Sequence, residues 1–403
     1  MIKILKTVKL IYLLLLLSIG ISCNTNNSIN YLKRVLSNLE RIESATYSVQ
    51  SEAWYPGDTL PYSVNCKFVH EYNNPMDSTI GASDICFDCD VTTKLKSGYD
   101  GKIKASINHD EKVIVLDDFS TRPLPFRTYS PPFFNYTKNI IQYALTTKDS
   151  ISFDLKEFEE YYYFKLIINE NKQVEFFGKA YHMPESPYIS ETTSIYEIWI
   201  SKSNNLPYKL RREMSHQTSV KTISNIELNK LSITDFNIYD YFPIDYEIKE
   251  YKLNSIENKK LNLIGRKAPA WILNNKDEQS VSLSDFEGKI LLLQLTGIGC
   301  GPCQVSIPFL KEIKEKYSGD SFELIAIETW KRKLHSLQYY SDKNELNYSL
   351  LIGTDDIVKD YQTGGLVPVF FILDREQIIR KVFRGYDEET AKKEIINAIN
   401  ELM

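Results

Sequence analysis

Residues 296–308, TGIGCGPCQVSIP, set Cys300 and Cys303 two residues apart, with Gly301 and Pro302 between them and Pro308 five residues later. Thiols at this spacing can cycle between dithiol and disulfide, cross-link the chain passively, or supply half of a zinc site. The context separates these readings. The preceding ILLLQL (290–295) is an unbroken apolar run, as in a strand buried on both faces. It breaks at Gly297 and Gly299, and a helix is expected from Cys300 to about Tyr317. A thiol at a helix start faces unpaired backbone N–H groups and the positive end of the helix dipole. That setting favours the thiolate, so Cys300 is the expected nucleophile and Cys303 the thiol that resolves the mixed disulfide. Pro302 falls where a missing N–H costs little, and Pro308 removes one ladder bond inside the helix. Zinc would want a second ligand pair, yet the C-terminal region offers only His335, so no metal is expected. Redox chemistry here needs no cofactor beyond the Cys300–Cys303 disulfide itself.

The elements that must hold these thiols alternate. After ILLLQLTG (290–297) and the helix come FELIAIE (322–328), a helix near 333–343, VFFILD (369–374), IIRKVF (378–383) and a last helix over 387–402. This order predicts a mixed α/β sheet with helices on both faces over 262–403. Upstream the pattern differs. INYLKRVLSNLERIES (29–44) places Leu32, Val35, Leu36, Leu39 and Ile42 at helical spacing. From Tyr47 to about Leu231, short runs such as KVIVLDD (112–118), YYYFKLIIN (161–169), SIYEIWIS (194–201) and SVKTISNIEL (219–228) alternate with Gly, Asn, Asp and Pro. They predict one helix packed on a large antiparallel sheet, a half-barrel, over 31–235. Residues 236–261 turn polar and lose periodicity, and read as a linker. The expected class is α+β with two domains.

A second cysteine cluster lies in the first domain. Cys86 and Cys89 form CFDC, with Cys66 and His70 upstream. Pairing two of the three thiols as a structural disulfide is the preferred reading. Cys66, His70, Cys86 and Cys89 also have zinc-ligand types and spacing, and a second redox pair exchanging with Cys300–Cys303 is the third reading. His109, His182 and His216 are scattered and read as surface or strand residues.

The leader places all of this outside the cytoplasm. Lys3, Lys6 and Lys9 precede LIYLLLLLSIGIS (10–22), too short for a bilayer span of about 20 residues but right for a secretory h-region. Residues 1–22 resemble a bacterial lipoprotein signal, which implies lipidation of Cys23 and a tether over 23–30. The departure is Gly20, where such signals usually carry Leu, and an ordinary signal peptide is the alternative. The implied location is the cell envelope, lipid-anchored and facing the periplasm. A net charge of −5 over 403 residues argues against a nucleic-acid partner.

CGPC after an apolar strand, Pro308, and LVPVFFILD (366–374) together resemble the thioredoxin fold. APAWILNNKDEQSVSLSDFEGKILLLQL (268–295) resembles the opening of TlpA-like, membrane-tethered disulfide reductases. The resemblance implies that Pro368 is a cis-proline beside the thiols and that the Val367 backbone pairs with a bound substrate strand. It also implies protein thiols and disulfides as substrates, with an upstream membrane thiol donor as electron source. Peroxiredoxin chemistry is disfavoured because Thr296 and Cys300 are wrongly spaced. Three departures stand out. Gly299 replaces the usual tryptophan before the first cysteine, which implies an open approach to Cys300. Leu295-Thr296 lacks the usual aromatic. Gln294 stands where thioredoxins carry a buried aspartate, leaving Glu328 as the candidate proton carrier. The N-terminal part is similar in outline to LolA-like lipoprotein carriers. That resemblance implies lipid or lipoprotein binding as an alternative function, and a docking module is the plainer one.

Overall fold

The computed structural model describes residues 26–121, 129–184, 192, 194–252, 263–317, 319, 321–387 and 389–403. The leader and Cys23 lie outside these residues. By internal contacts the chain forms two compact units. The first takes the chain up to residue 53 with 63–184 and 192–253; the second takes 54–62, 185–191 and 254–403.

In the first unit, helix α1 (26–40) leads into β1 (Ser44–Trp54), β2 (Ser63–Asn73), β3 (Ala82–Asp88), β4 (Leu95–Tyr99), β5 (Lys104–Asn108) and β6 (Val113–Asp117). Helix α2 (Phe133–Thr146) precedes β7 (Ile151–Glu157) and β8 (Tyr161–Ile168); the small hairpin of β9 (Val174–Phe176) and β10 (Ala180–His182) follows. The unit closes with β11 (Ser194–Ser201), β12 (Pro207–Met214), β13 (Gln217–Leu228) and β14 (Glu247–Glu250). Twelve of these strands make one sheet, in the order β14-β6-β5-β4-β3-β2-β1-β13-β12-β11-β8-β7. The hairpin-linked neighbours from β1 to β6 and from β11 to β13, with β7–β8 and β8–β11, pair antiparallel, whereas β14 runs parallel to β6. Alternation sets the core: along β8, Phe164, Leu166 and Ile168 are buried while their neighbours are partly exposed. They join Leu32, Val35 and Leu39 of α1 and Ile140 and Ile141 of α2 on one face of the sheet.

Two features differ from the sequence reading. Residues 236–250 are not a linker. A 3-10 turn at Ile238–Tyr241 buries Ile238 against Ile85, Leu95 and Ile114 on the opposite sheet face, and β14 pairs with β6. The helix on the sheet is also not alone. FFNYTKNIIQYALT carries aromatic and β-branched residues and no side-chain cap at Pro132, so it does not announce a helix. Its first N–H groups are satisfied from distant strands: Phe133 N donates to the Tyr47 hydroxyl (2.9 Å), and Phe134 and Asn135 N donate to Glu71 (3.1 and 2.7 Å). A buried carboxylate thus takes the place of a local cap.

The second unit carries a hairpin of β15 (Ile272–Asn274) and β16 (Ser280–Ser282), then β17 (Ile290–Thr296), α3 (Gly301–Lys316), β18 (Phe322–Glu328), α4 (Leu334–Lys343), β19 (Ser349–Ile352), α5 (Asp355–Asp360), β20 (Val369–Leu373), β21 (Ile379–Arg384) and α6 (Ala391–Asn400). Its sheet order is β19-β18-β17-β20-β21, parallel across β17–β19 and antiparallel at β20 and β21. Central β17 is buried at all seven positions. Ile290 and Leu292 pack under α3 and α6, whereas Leu291, Leu293 and Leu295 face Trp271, Ile357 and Tyr361. Helices therefore cover both faces, as the alternating pattern predicts. The reading missed β19, α5 and the β15–β16 hairpin, which are short elements with little periodicity of their own. Among the described residues, no helix is long and apolar enough to cross a membrane.

Candidate active site at the start of helix α3

Cys300 is the N-cap of α3, in extended backbone, and its Sγ accepts the N–H of Cys303 at 3.2 Å. The two cysteines are disulfide-bonded, with Cα atoms 5.3 Å apart. Gly301 and Pro302 form the first helical positions, and Pro308 lies inside the helix. The pair is well shielded: Cys300 is 6% exposed and Cys303 1%. Across from it, the Val367 carbonyl oxygen lies 3.8 Å from Cys300 Sγ, and the Val367–Pro368 peptide is cis. Val367, two residues before β20, thus meets the start of α3 because β17 and β20 are hydrogen-bonded neighbours.

Below the disulfide the polar group is neutral. Gln294 projects to the α3 side of β17, and its Nε2 donates to Ser306 Oγ at 3.1 Å. Ser306 Oγ in turn donates to the Cys303 carbonyl at 2.7 Å. Both side chains are buried. No acid stands in this chain of bonds, because neither an amide nor a hydroxyl titrates near neutral pH.

Glu328 closes β18 directly opposite Thr296 and is fully buried. Its carboxylate accepts backbone N–H groups from Ile298 (3.4 Å), Trp330 (3.0 Å) and Arg332 (3.0 Å). Burial pushes its pKa upward, while these donors and the Arg332 charge pull it partly back. Arg332 grips the same peptide from the other side, Nε and Nη2 donating to the Ile298 carbonyl at 3.3 and 3.2 Å. Both polar groups of the Ile298 peptide, two residues before Cys300, are therefore held by β18 and the loop after it. Glu328, the proton carrier that the sequence reading offers, thus hydrogen-bonds the backbone of the cysteine loop.

The glycines of that loop have separate causes. A Cβ on Gly297 would stand 2.5 Å from the Trp330 ring, so position 297 has no room for one. Gly299 has φ +95°, a conformation that side chains with a Cβ rarely adopt. Space is not its constraint, since a Cβ there would meet only Tyr55 Cε1 at 3.6 Å. Beside the open approach that the sequence reading expects from the missing indole, Cys300 in its disulfide is 6% exposed. Tyr55, within the 54–62 segment of this unit, stacks on Tyr62 with centroids 4.0 Å apart and carries the Arg332 guanidinium 3.5 Å above its ring. Trp330 adds its ring beside Gly297 and donates Nε1 to the Gly365 carbonyl at 3.4 Å. Sequence reasoning missed Tyr55, Trp330 and Arg332. Only the aromatic at 330, just after the Glu328 strand end, was a usable signal.

The other cysteines behave differently. Cys66 bonds to Cys89, closing a loop of 23 residues, and Cys86 stays a free, buried thiol. CFDC is thus not an internal pair, and burial, with Asp84 adding to it, pushes the Cys86 thiol up to about 12, far from thiolate chemistry at neutral pH. His70 sits between the rings of Phe68 and Phe87 rather than with the sulfurs. The zinc reading of this cluster loses two of its four ligands, Cys66 and Cys89, to the disulfide. No group of three or more His, Cys, Asp or Glu among the described residues is placed to hold a metal ion.

Residues 264–382 match the AhpC/TSA family. The thiol-disulfide oxidoreductase ResA of Geobacillus thermodenitrificans is 24% identical over 132 residues, spanning 33% of this chain and 75% of that protein. ResA of Bacillus subtilis is 24% identical over 135 residues, 34% of this chain and 75% of that protein. Among solved structures, the thioredoxin domain of a thiol-disulfide oxidoreductase from Bacteroides vulgatus is 23% identical, covering 34% of this chain and 96% of that domain at a TM-score of 0.30. The C-terminal third thus matches the AhpC/TSA family and is similar in sequence to thiol-disulfide oxidoreductases. None of these matches supports the resemblance to LolA-like carriers that the sequence reading expects of the first unit.

Proposed function

We propose that this protein is a thiol-disulfide oxidoreductase of the bacterial cell envelope, lipid-anchored through Cys23 and facing the periplasm, which reduces disulfides in partner proteins. The observation that carries the chemistry is Cys300 at the N-cap of α3, its Sγ accepting the Cys303 N–H. The same N–H and the helix dipole stabilise a thiolate on Cys300 once the disulfide is reduced. That thiolate attacks one sulfur of a substrate disulfide, forming a mixed disulfide and releasing the other sulfur as thiolate. Cys303, deprotonated, then attacks Cys300 Sγ. The substrate leaves as a dithiol, two electrons richer, and the enzyme leaves as the Cys300–Cys303 disulfide. A membrane thiol donor returns it to the dithiol. The Val367 carbonyl, 3.8 Å from Cys300 Sγ, supplies an acceptor for a substrate backbone N–H beside the reacting sulfur. The shielded pair suits a substrate strand laid along this edge.

The test is insulin reduction by the full chain with dithiothreitol as electron source. Cys300→Ser should bring the rate down to the uncatalysed level. Full activity in that variant would end the enzyme reading. Equilibration with glutathione sets the direction: a potential at the strongly oxidising end would turn the proposed reductase into an oxidant.

A further inference from the structure

The first unit contains a cavity of about 830 Å³ between the inner faces of β1–β5 and the start of α2. Its volume falls in the range of about 300–1,000 Å³ typical of small-molecule sites. Five lysines line it: Lys67, Lys94, Lys96, Lys104 and Lys221. Lys96 is neutralised by Asp88 at 2.8 Å. Lys67, Lys94 and Lys221 form no ion pair among the described residues. Lys221 donates its Nζ to the neutral Ser130 hydroxyl at 2.9 Å and stands 5.7 Å from the centroid of the Tyr136 ring. It is half-buried with no carboxylate in ion-pair contact, and burial and neighbouring Lys67 lower its pKa to about 8. The charge of nearby Asp84 offsets this only in part. Asp84 is buried beside the Cys86 thiol, 3.7 Å from Sγ, and burial raises its pKa to about 7, so it is only partly charged.

Apolar groups share this lining: Val49, the cross-strand partner of Lys67, with Val69 and Phe133, each at least 92% buried. Tyr129 belongs to the same lining. It is 7% exposed, and its buried hydroxyl has no hydrogen-bond partner among the described residues. A buried, unsatisfied hydroxyl beside unpaired ammonium groups costs free energy that a ligand acceptor would recover.

We infer that this cavity binds an amphipathic organic anion, its carboxylate or phosphate head against Lys67, Lys221 and Tyr129 and its apolar body against Val49, Val69 and Phe133. One acidic head satisfies what the protein leaves open, and the valines beside Lys67 offer an apolar body a surface that a bare oxyanion would not use. The inference is independent of the dithiol chemistry.

Calorimetric titration of the full chain with laurate tests it, with a lauroyl lysophosphatidate run in parallel to separate a free carboxylate from a lipid phosphate. At least one of the two should bind saturably at one site per chain. Lys221→Met, which keeps the length and removes the charge, should weaken that binding roughly tenfold or more, as expected for one charge-assisted contact. Lys67→Met serves as the second variant should Lys221→Met fold poorly by circular dichroism. Dodecanol, which lacks the charge, and pyrophosphate, which lacks the apolar body, should each bind at least tenfold more weakly than the better amphiphile. The inference falls if neither amphiphile binds, if a folded lysine variant keeps wild-type affinity, or if pyrophosphate binds as well as laurate.

Discussion

Replacing Gly299 by alanine isolates the backbone demand of the residue before the nucleophile. At φ +95° any Cβ-bearing residue is strained, and holding one in such a region costs about 1–3 kcal/mol. Sterics contribute little, because the added methyl would meet only Tyr55 Cε1, at an ordinary contact distance of 3.6 Å. For a unit of this size about 2–4 °C of melting temperature accompanies each kcal/mol, so Gly299→Ala should melt roughly 2–12 °C lower. Asparagine tolerates positive φ better than alanine and should recover part of that loss. Tryptophan carries the same backbone strain and must also displace the Tyr55 ring, so it should be the worst of the three. The assay is thermal unfolding of the oxidised full chain, followed by insulin reduction for each variant. The insulin rate should fall in the same order, because the strained peptide abuts Cys300. Should alanine prove neutral, or asparagine no better than alanine, the conformational reason for Gly299 is wrong and the residue is there for access.

Three further expectations follow from neighbouring groups. Cys303→Ala should trap a mixed disulfide between Cys300 and substrate, seen as a reductant-sensitive shift on gels; free turnover in that variant refutes its resolving role. Glu328 has a folded pKa above its unfolded value near 4.5, so its contribution is fully present below 4.5 and is lost as pH rises through the folded value. Denaturant midpoints measured from pH 4 to 8 should show this decline in wild type and a flatter profile in Glu328→Gln, and identical slopes would refute it. Cys66→Ser should destabilise the first unit by about 3 kcal/mol, the loop-entropy value for a 23-residue closure, without changing insulin reduction. Urea unfolding checks the first part, and a parallel loss of activity would tie this disulfide to the chemistry.

What could be read along the chain was whatever local pattern dictates. The apolar run 290–295, the glycine break and the cysteines at a helix start determine a buried strand feeding an N-cap thiol, because burial, capping and the helix dipole act within a few residues. Alternation in 161–168 and 194–201 likewise determines strands with one buried face. Other features are settled by groups far apart in sequence. Helix α2 starts where Glu71 and Tyr47 receive its N–H groups, more than 60 residues upstream. Cys89 pairs with Cys66 rather than with Cys86, because Cys86 is held on the sheet face beside Asp84. The Ile298 peptide is fixed by Glu328 and Arg332, some 30 residues downstream. Gly299 joins the two cases. Its type marks a break in the strand, but only the folded loop shows that the break requires a positive φ and that Tyr55, with the Arg332 guanidinium over its ring, packs beside it. A one-dimensional pattern carries the chemistry of the thiols. The environment that orients them comes from through-space packing and charge, which no local spacing encodes.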